Sequence, residues 1–116
     1  MSTEEELNQL DASMAEAKHF IDVKKSVERL FKNRDFKKVI LEYYFKEEAA
    51  RLVMAKSSNL SEEQKKLIDC MIYGIGALSN FFDSVHQRGV QAEQALKDDE
   101  DAKTELLREN LNGWFR

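Results

Sequence analysis

The chain has 116 residues, of which 34% are charged and 42% hydrophobic, and its formal net charge is −4. This length suits one domain with a modest core, and the composition is too apolar for a disordered chain and too charged for a membrane protein. The longest uncharged stretch, residues 70–82, has 13 residues, whereas a membrane-spanning helix needs roughly 20. We therefore predict no membrane contact. The N-terminus has neither a basic start nor an apolar run, so we also expect no secretory signal and no transit peptide.

The distribution of proline and glycine indicates the fold class. The chain contains no proline, and its first 73 residues contain no glycine. Proline breaks helices and glycine weakens them, whereas the abundant Ala, Leu, Glu, Lys and Gln favour them. The sequence therefore predicts an all-α protein, in which long helices with heptad seams form a helical hairpin or a small bundle within one domain.

The first helix is predicted to begin at a capping box, since Glu5 or Glu6 follows Ser2 or Thr3 at a spacing of three residues. Apolar residues then recur at alternating spacings of four and three, which is typical of a coiled-coil seam. This first seam consists of Leu7, Leu10, Met14, Ala17 and Ile21, and it then shifts to Phe20, Val23, Val27 and Leu30.

A second helix is predicted to follow Asn33 or Asp35, either of which can act as its N-cap. At α-helical spacing its apolar face consists of Phe36, Val39, Ile40 and Tyr43. A cluster of small polar residues predicts a loop near 57–60. Ser61 and Gln64 form a further capping box, which predicts the start of the last long helix.

This last helix is predicted to exceed 30 residues. Its seam consists of Ile68, Met71, Ile75, Leu78, Phe82 and Val85, and a weaker half continues through Gly89, Ala92 and Leu96. We predict the first six as a protein interface that packs against the first seam, within one subunit or between copies. Gly74 and Gly76 each cost a helix about 1 kcal/mol relative to alanine, so we expect another helix to approach closely there.

The C-terminal part begins with an acidic run at residues 98–101, which we interpret as a hinge before a short final helix. The chain then ends in Gly-Trp-Phe-Arg. A large aromatic pair is costly to leave in water, and tryptophan is enriched at binding hot spots. We therefore predict Trp114 and Phe115 as interface residues, with packing onto the protein's own core as the equal alternative.

Charge is strongly segregated along the chain. Residues 1–17 contain five acids and no base, whereas residues 18–38 contain eight bases and three acids. Such blocks favour ordered association of helices and can also steer a partner. The candidates for contact with phosphate or an acidic partner are Lys24, Lys25, Arg29, Lys32, Arg34, Lys37 and Lys38. The acidic flanks and the pI of about 5.3 make nucleic acid the weaker partner prediction.

Two carboxylate-x-x-histidine elements, Glu16 with His19 and Asp83 with His86, have the spacing found in di-iron bundles. Ligands of such a site must point into the bundle, but both elements lie off the apolar seams. We interpret the single cysteine, Cys70, as a packed and inert side chain on an apolar face. The sequence therefore predicts no catalytic residue, no metal site and no cofactor.

Two stretches carry a family resemblance. The first stretch is residues 30–40, with the sequence Leu-Phe-Lys-Asn-Arg-Asp-Phe-Lys-Lys-Val-Ile, and the second is residues 44–52, with the sequence Tyr-Phe-Lys-Glu-Glu-Ala-Ala-Arg-Leu. Two shorter segments fit the same family: Ile-Gly-Ala-Leu at residues 75–78 and Phe-Phe at residues 81–82. Over about residues 5–95 the chain resembles small uncharacterised proteins of tailed bacteriophages that are often encoded among head and tail structural genes. The resemblance implies a component of the phage particle or of its assembly.

Together these observations predict a non-enzymatic virion or morphogenesis protein that acts through helix-mediated assembly. The expected partners are other virion proteins and further copies of the chain. We expect it in the virion, and in the host cytoplasm during assembly. Two alternatives remain at this stage: a cytoplasmic phage protein that binds a host factor, and an accessory protein that contacts DNA.

Overall fold

A computed structural model of the chain describes residues 2–114, and for Trp114 it describes the backbone alone. The described residues form α1 (Thr3–Lys32), α2 (Arg34–Phe36), a π-helical segment (Lys37–Glu48), α3 (Ala49–Lys56) and α4 (Glu62–Trp114). No strand occurs among these residues, so the all-α prediction is confirmed. The predicted aromatic anchor lies outside the description, since it consists of the Trp114 side chain and Phe115.

Side-chain caps define the helix starts at the predicted places. The Glu5 N–H donates to Ser2 Oγ at 3.2 Å, and the Phe36 N–H donates to Asn33 Oδ1 at 3.0 Å. At the start of α4 the capping box is reciprocal: the Gln64 N–H donates to Ser61 Oγ, and the Ser61 N–H donates to Gln64 Oε1. These bonds satisfy N–H groups that the first helical turn leaves without a partner. The predicted loop accordingly lies between Lys56 and Glu62.

The π-helical segment changes the predicted apolar face of the second helix. Its hydrogen bonds span five residues instead of four, so residues four and five apart share a face. The apolar residues here come as adjacent pairs, Ile40 with Leu41 and Tyr44 with Phe45, and all four are half-buried. Val39 and Tyr43, predicted on the apolar face, are 55% and 54% exposed, so the α-helical spacing was wrong for these two residues.

Helix α4 has 53 residues, which confirms the prediction of a helix longer than 30. From Ile75 to Leu96 the buried and half-buried positions follow the predicted seam, and they continue at 99, 103 and 106. The helix runs without a break through residues 98–101, so the hinge and the separate C-terminal helix predicted there are not seen. This proline-free acidic run can stay helical because three of its four carboxylates are exposed to water and the fourth, that of Asp99, accepts a hydrogen bond from Ser13.

The described residues group into two compact units. The first unit comprises residues 2–25 with 85–114, and the second comprises Ser26–Ser84. In the first unit α1 and α4 pair in antiparallel directions. Lys24 Nζ lies 2.6 Å from Glu93 Oε1, Ser13 Oγ donates to Asp99 Oδ2 at 2.6 Å, and Asp11 Oδ1 lies 2.7 Å from Lys103 Nζ.

The second unit is organised around one aromatic ring. The Phe82 ring lies edge-on to Phe31 and Phe36, with centroid distances of 5.2 and 5.8 Å, and Phe45 lies at 6.4 Å. Edge-to-face pairs at these distances add to the stabilisation from apolar burial. Leu52 of α3 is 2% exposed and Ile75 is 6% exposed, so the core of this unit lies between α4 and the helices that precede the loop.

The close helix approach occurs at Gly89 instead of the predicted Gly74 and Gly76. A Cβ added to Gly76 would meet nothing within 4 Å, and one added to Gly74 would lie 3.9 Å from the Tyr44 hydroxyl. A Cβ added to Gly89 would overlap the Cβ, Cγ and Cδ atoms of Lys24. The crossing of α1 and α4 in the first unit therefore requires glycine at this position.

Gly89→Ala should destabilise the protein although alanine is the better helix former. The clash with Lys24 Cβ is close to the α1 backbone, so the two helices must separate, at a cost of about 1–3 kcal/mol. Gly76→Ala is the matched control on the same helix and should instead stabilise by up to about 1 kcal/mol. Urea denaturation followed by circular dichroism measures both changes. Equal effects of the two substitutions would show that Gly89 is not a close crossing point.

Candidate protein-interaction surfaces

The predicted interface residues of α4 are used mainly inside the chain. Ile75 and Val85 are 6% and 7% exposed, while Ile68, Leu78 and Phe82 are half-buried. Met71 is 42% exposed, and the half-buried Ile72 takes its place. A straight helix drifts by about 20° per heptad relative to a 3.5-residue repeat, so the inner face turns gradually along α4 and includes Ile72 in place of Met71 near the start of the seam.

The expected partner of this seam is also different within the chain. Residues 7–21 belong to the first unit, where α1 lies along the part of α4 that follows Val85. Residues 68–82 belong to the second unit and pack there against the aromatic residues described above. Each of the two predicted seams thus finds its intramolecular partner in its own unit.

A second apolar face of α4 remains exposed in the second unit. Leu67 and Phe81 are 62% and 56% exposed, and residues between them at helical spacing are exposed and small or apolar. We call this face the outer stripe; it consists of Leu67, Cys70, Met71, Gly74, Ala77 and Phe81. The heptad spacing of the outer stripe is present in the sequence, but the neighbouring seam has larger apolar residues and was therefore predicted as the interface instead.

Cys70 lies on the outer stripe, and its side chain is exposed. The prediction of a packed cysteine was therefore wrong. The reason is geometric: on an α-helix a residue two positions after Ile68 points about 200° away from it, so Cys70 cannot share the inner face with Ile68 and Ile75.

The predicted basic residues separate into two groups. Lys24 lies in the first unit, its side chain is only 14% exposed, and its ammonium group contacts the Glu93 carboxylate. It is therefore committed to the helix pair and is a poor candidate for a phosphate contact. Lys25 is exposed in the same unit. The other five, Arg29, Lys32, Arg34, Lys37 and Lys38, lie in the second unit and are all exposed.

The contact with Lys24 also changes the acid–base behaviour of Glu93. The hydrogen bond from the Lys24 ammonium holds the pKa of Glu93 below its ordinary value, and the positive charges of Lys24, Lys25 and His86 act in the same direction. Partial desolvation opposes this effect and is smaller than the effect of the hydrogen bond. Glu93 thus stays ionised to lower pH in the folded protein than in the unfolded chain.

An open groove of about 600 Å³ lies between the start of α1 and the end of α4 in the first unit. Its apolar lining comes from Leu10, Ala102 and Leu106. Its acidic lining comes from four carboxylates, those of Glu6, Asp99, Glu105 and Glu109. Gln9 and Ser13 complete the lining, which contains no lysine or arginine. We call this feature the acidic groove.

The residues with the spacing of a metal site do not come together. Glu16, His19, Asp83 and His86 are all exposed. Within residues 2–114 no three side chains of His, Cys, Asp or Glu are grouped so that they could hold a metal ion. The helices of this part of the chain also include none that is both long and apolar enough to cross a bilayer.

Comparison with known proteins adds no relative from which a function could be transferred. No family model matches the chain, and neither a curated protein nor a solved structure is significantly similar to it.

The stability of the protein should depend on pH through Glu93. The pKa of Glu93 is lower in the folded protein than in the unfolded chain. Its ionised carboxylate therefore adds fully to the free energy of unfolding above the unfolded-chain pKa, and this stabilisation is lost as pH falls through the folded-state pKa. Glu93→Gln should weaken folding at neutral pH and have a smaller effect below about pH 4. Thermal unfolding from pH 3 to pH 7 measures this difference. The exposed Glu63→Gln is the control, and a pH-independent difference between wild type and Glu93→Gln would contradict the assignment.

Proposed function

We propose that this protein is a non-enzymatic structural component of a phage particle or of its assembly machinery, and that it works through helix-mediated association with copies of itself and with other virion proteins. The phage context rests on the sequence resemblance at residues 30–52 and 75–82. The proposed mode of action rests on the structure, in which the described helices leave a long apolar face largely exposed in the second unit.

The outer stripe is the observation that carries this proposal. None of its six residues is charged, and in the 15-residue span from Leu67 to Phe81 the only charged residue is Asp69. That carboxylate is already held, because Asp69 Oδ1 lies 2.6 Å from Lys56 Nζ. The stripe has large apolar side chains at its ends and Gly74 at its centre, so another helix can lie close to it. Exposed apolar area of this kind is typical of protein–protein contacts.

The composition of purified particles tests the phage role directly. Quantitative mass spectrometry should detect the protein at a defined ratio to the major capsid protein, and that ratio indicates the symmetric layer that it occupies. Complete absence from both mature particles and assembly intermediates would contradict the proposal. A pull-down from infected cells that recovers one host protein would then support the host-factor alternative.

Charges placed on the outer stripe should weaken association. Burial of a leucine or phenylalanine side chain contributes about 1.5–3 kcal/mol, so Leu67→Glu combined with Phe81→Glu should raise the dissociation constant by more than about tenfold. Sedimentation velocity over a concentration series measures this change. In the wild-type assembly, Cys70 should also react more slowly with a thiol reagent than in the monomer, because it lies on the same face.

Val90→Glu provides the matched control for this experiment. Val90 also lies on α4 and is 47% exposed, but it belongs to the first unit. It should leave the dissociation constant unchanged. Equal dissociation constants for wild type and the Leu67/Phe81 variant, with Cys70 equally reactive at all concentrations, would show that the outer stripe is not the interface.

A further inference from the structure

The acidic groove of the first unit has features that a helix pair does not need for its own stability. Four carboxylates surround an apolar floor. Glu105 is paired with Arg108 and Asp99 accepts a hydrogen bond from Ser13, which leaves the groove with an excess of negative charge that repels itself. Leu10 and Leu106 on the floor remain only half-buried. A partner with positive charges and an apolar side chain would relieve the repulsion and cover these leucines at the same time.

The second unit carries a surface with those properties. Residues 29–38 contain five Lys or Arg residues and a single acid, Asp35, and the five cationic side chains are all exposed. The same segment contains Leu30, which is 44% exposed. We call residues 29–38 the basic segment. It joins the end of α1 to the start of the π-helical segment, and the Asn33 cap holds the junction in place.

We propose that the acidic groove of one copy of this chain receives the basic segment of a second copy. This inference rests on the proposed assembly function and names one of its contacts. The two surfaces match in kind, since each combines a partly exposed leucine with charges that are mainly of one sign, negative in the groove and positive in the segment.

Such a contact joins two different surfaces of the chain, so it is heterologous. Each copy then keeps one unused groove or one unused segment, and further copies add in the same direction until a ring closes or a filament forms. This geometry is distinct from any symmetric pairing through the outer stripe. Because the contact depends on opposite charges, salt weakens it.

Two charge-reversed variants test this contact. Glu105→Lys with Glu109→Lys reverses the groove, and Lys37→Glu with Lys38→Glu reverses the segment. All four side chains are exposed, and circular dichroism verifies that each variant is folded. Both variants also carry Leu67→Glu and Phe81→Glu, which weaken association through the outer stripe. Each should then stay monomeric at concentrations more than about tenfold above those at which the Leu67/Phe81 variant itself associates. Glu62→Lys with Glu63→Lys changes the same amount of charge on an exposed part of α4 and should associate like the wild type.

Mixing the two variants gives the decisive result. In the mixture the intact groove of one variant meets the intact segment of the other, and the reversed groove meets the reversed segment, so sedimentation velocity at low salt should show oligomers in which the two variants alternate. A chain carrying all four substitutions should associate again, because its groove and segment are both reversed. Association that occurs only in the mixture would support the proposal, and a mixture that remains monomeric would overturn it.

The wild-type protein separates failure of this contact from failure of the assembly function. If the wild type associates and both reversed variants associate equally well, the head-to-tail contact is wrong and assembly through another surface stands. If the wild type stays monomeric at every protein and salt concentration tested, the self-association part of the proposed function fails together with this contact.

Discussion

The first unit depends on the absence of one side chain. Because Gly89 has no Cβ, the stem of Lys24 can lie directly on α4, and its ammonium group reaches Glu93 one turn further along the helix. This contact sets the antiparallel register of α1 on α4. The same register brings Ser13 to Asp99 and Asp11 to Lys103. It therefore also brings the acidic residues of the two helices together around the groove, although each of these surface contacts contributes little energy by itself.

The second unit solves a different packing problem. It has to bury a set of phenylalanines supplied by α1, α2, the π-helical segment and α4, and it does so by surrounding Phe82 with Phe31, Phe36 and Phe45. The wider π-helical turn allows adjacent residues such as Tyr44 and Phe45 to face inward together. The other apolar face of α4, the outer stripe, stays largely exposed among the described residues, and the Tyr44 hydroxyl comes near it at Gly74.

The two surfaces differ in the kind of contact that they favour. The outer stripe contains no charged residue, so in the proposed assembly its contribution to affinity is that of apolar burial and depends little on salt. The acidic groove and the basic segment carry opposite charges, so they contribute to orientation and to the choice of partner more than to affinity. A chain with one surface of each kind is suited to ordered assembly, in which strength and direction are determined separately.

The sequence by itself determined the helices. The absence of proline, the capping residues Ser2, Asn33 and Ser61, and the apolar spacing along α4 are local properties, and local hydrogen bonding and side-chain periodicity decide them. Which helix face meets which partner is a tertiary property. From the sequence we predicted a close helix approach at Gly74 and Gly76 and a packed Cys70. In the structure the close approach is at Gly89 and Cys70 is exposed. The predictions failed because every apolar face on a long helix has a similar periodicity. Only the register between distant residues, such as Lys24 and Gly89, decides which face is covered, and that register follows from the fit of whole side chains across the two helices.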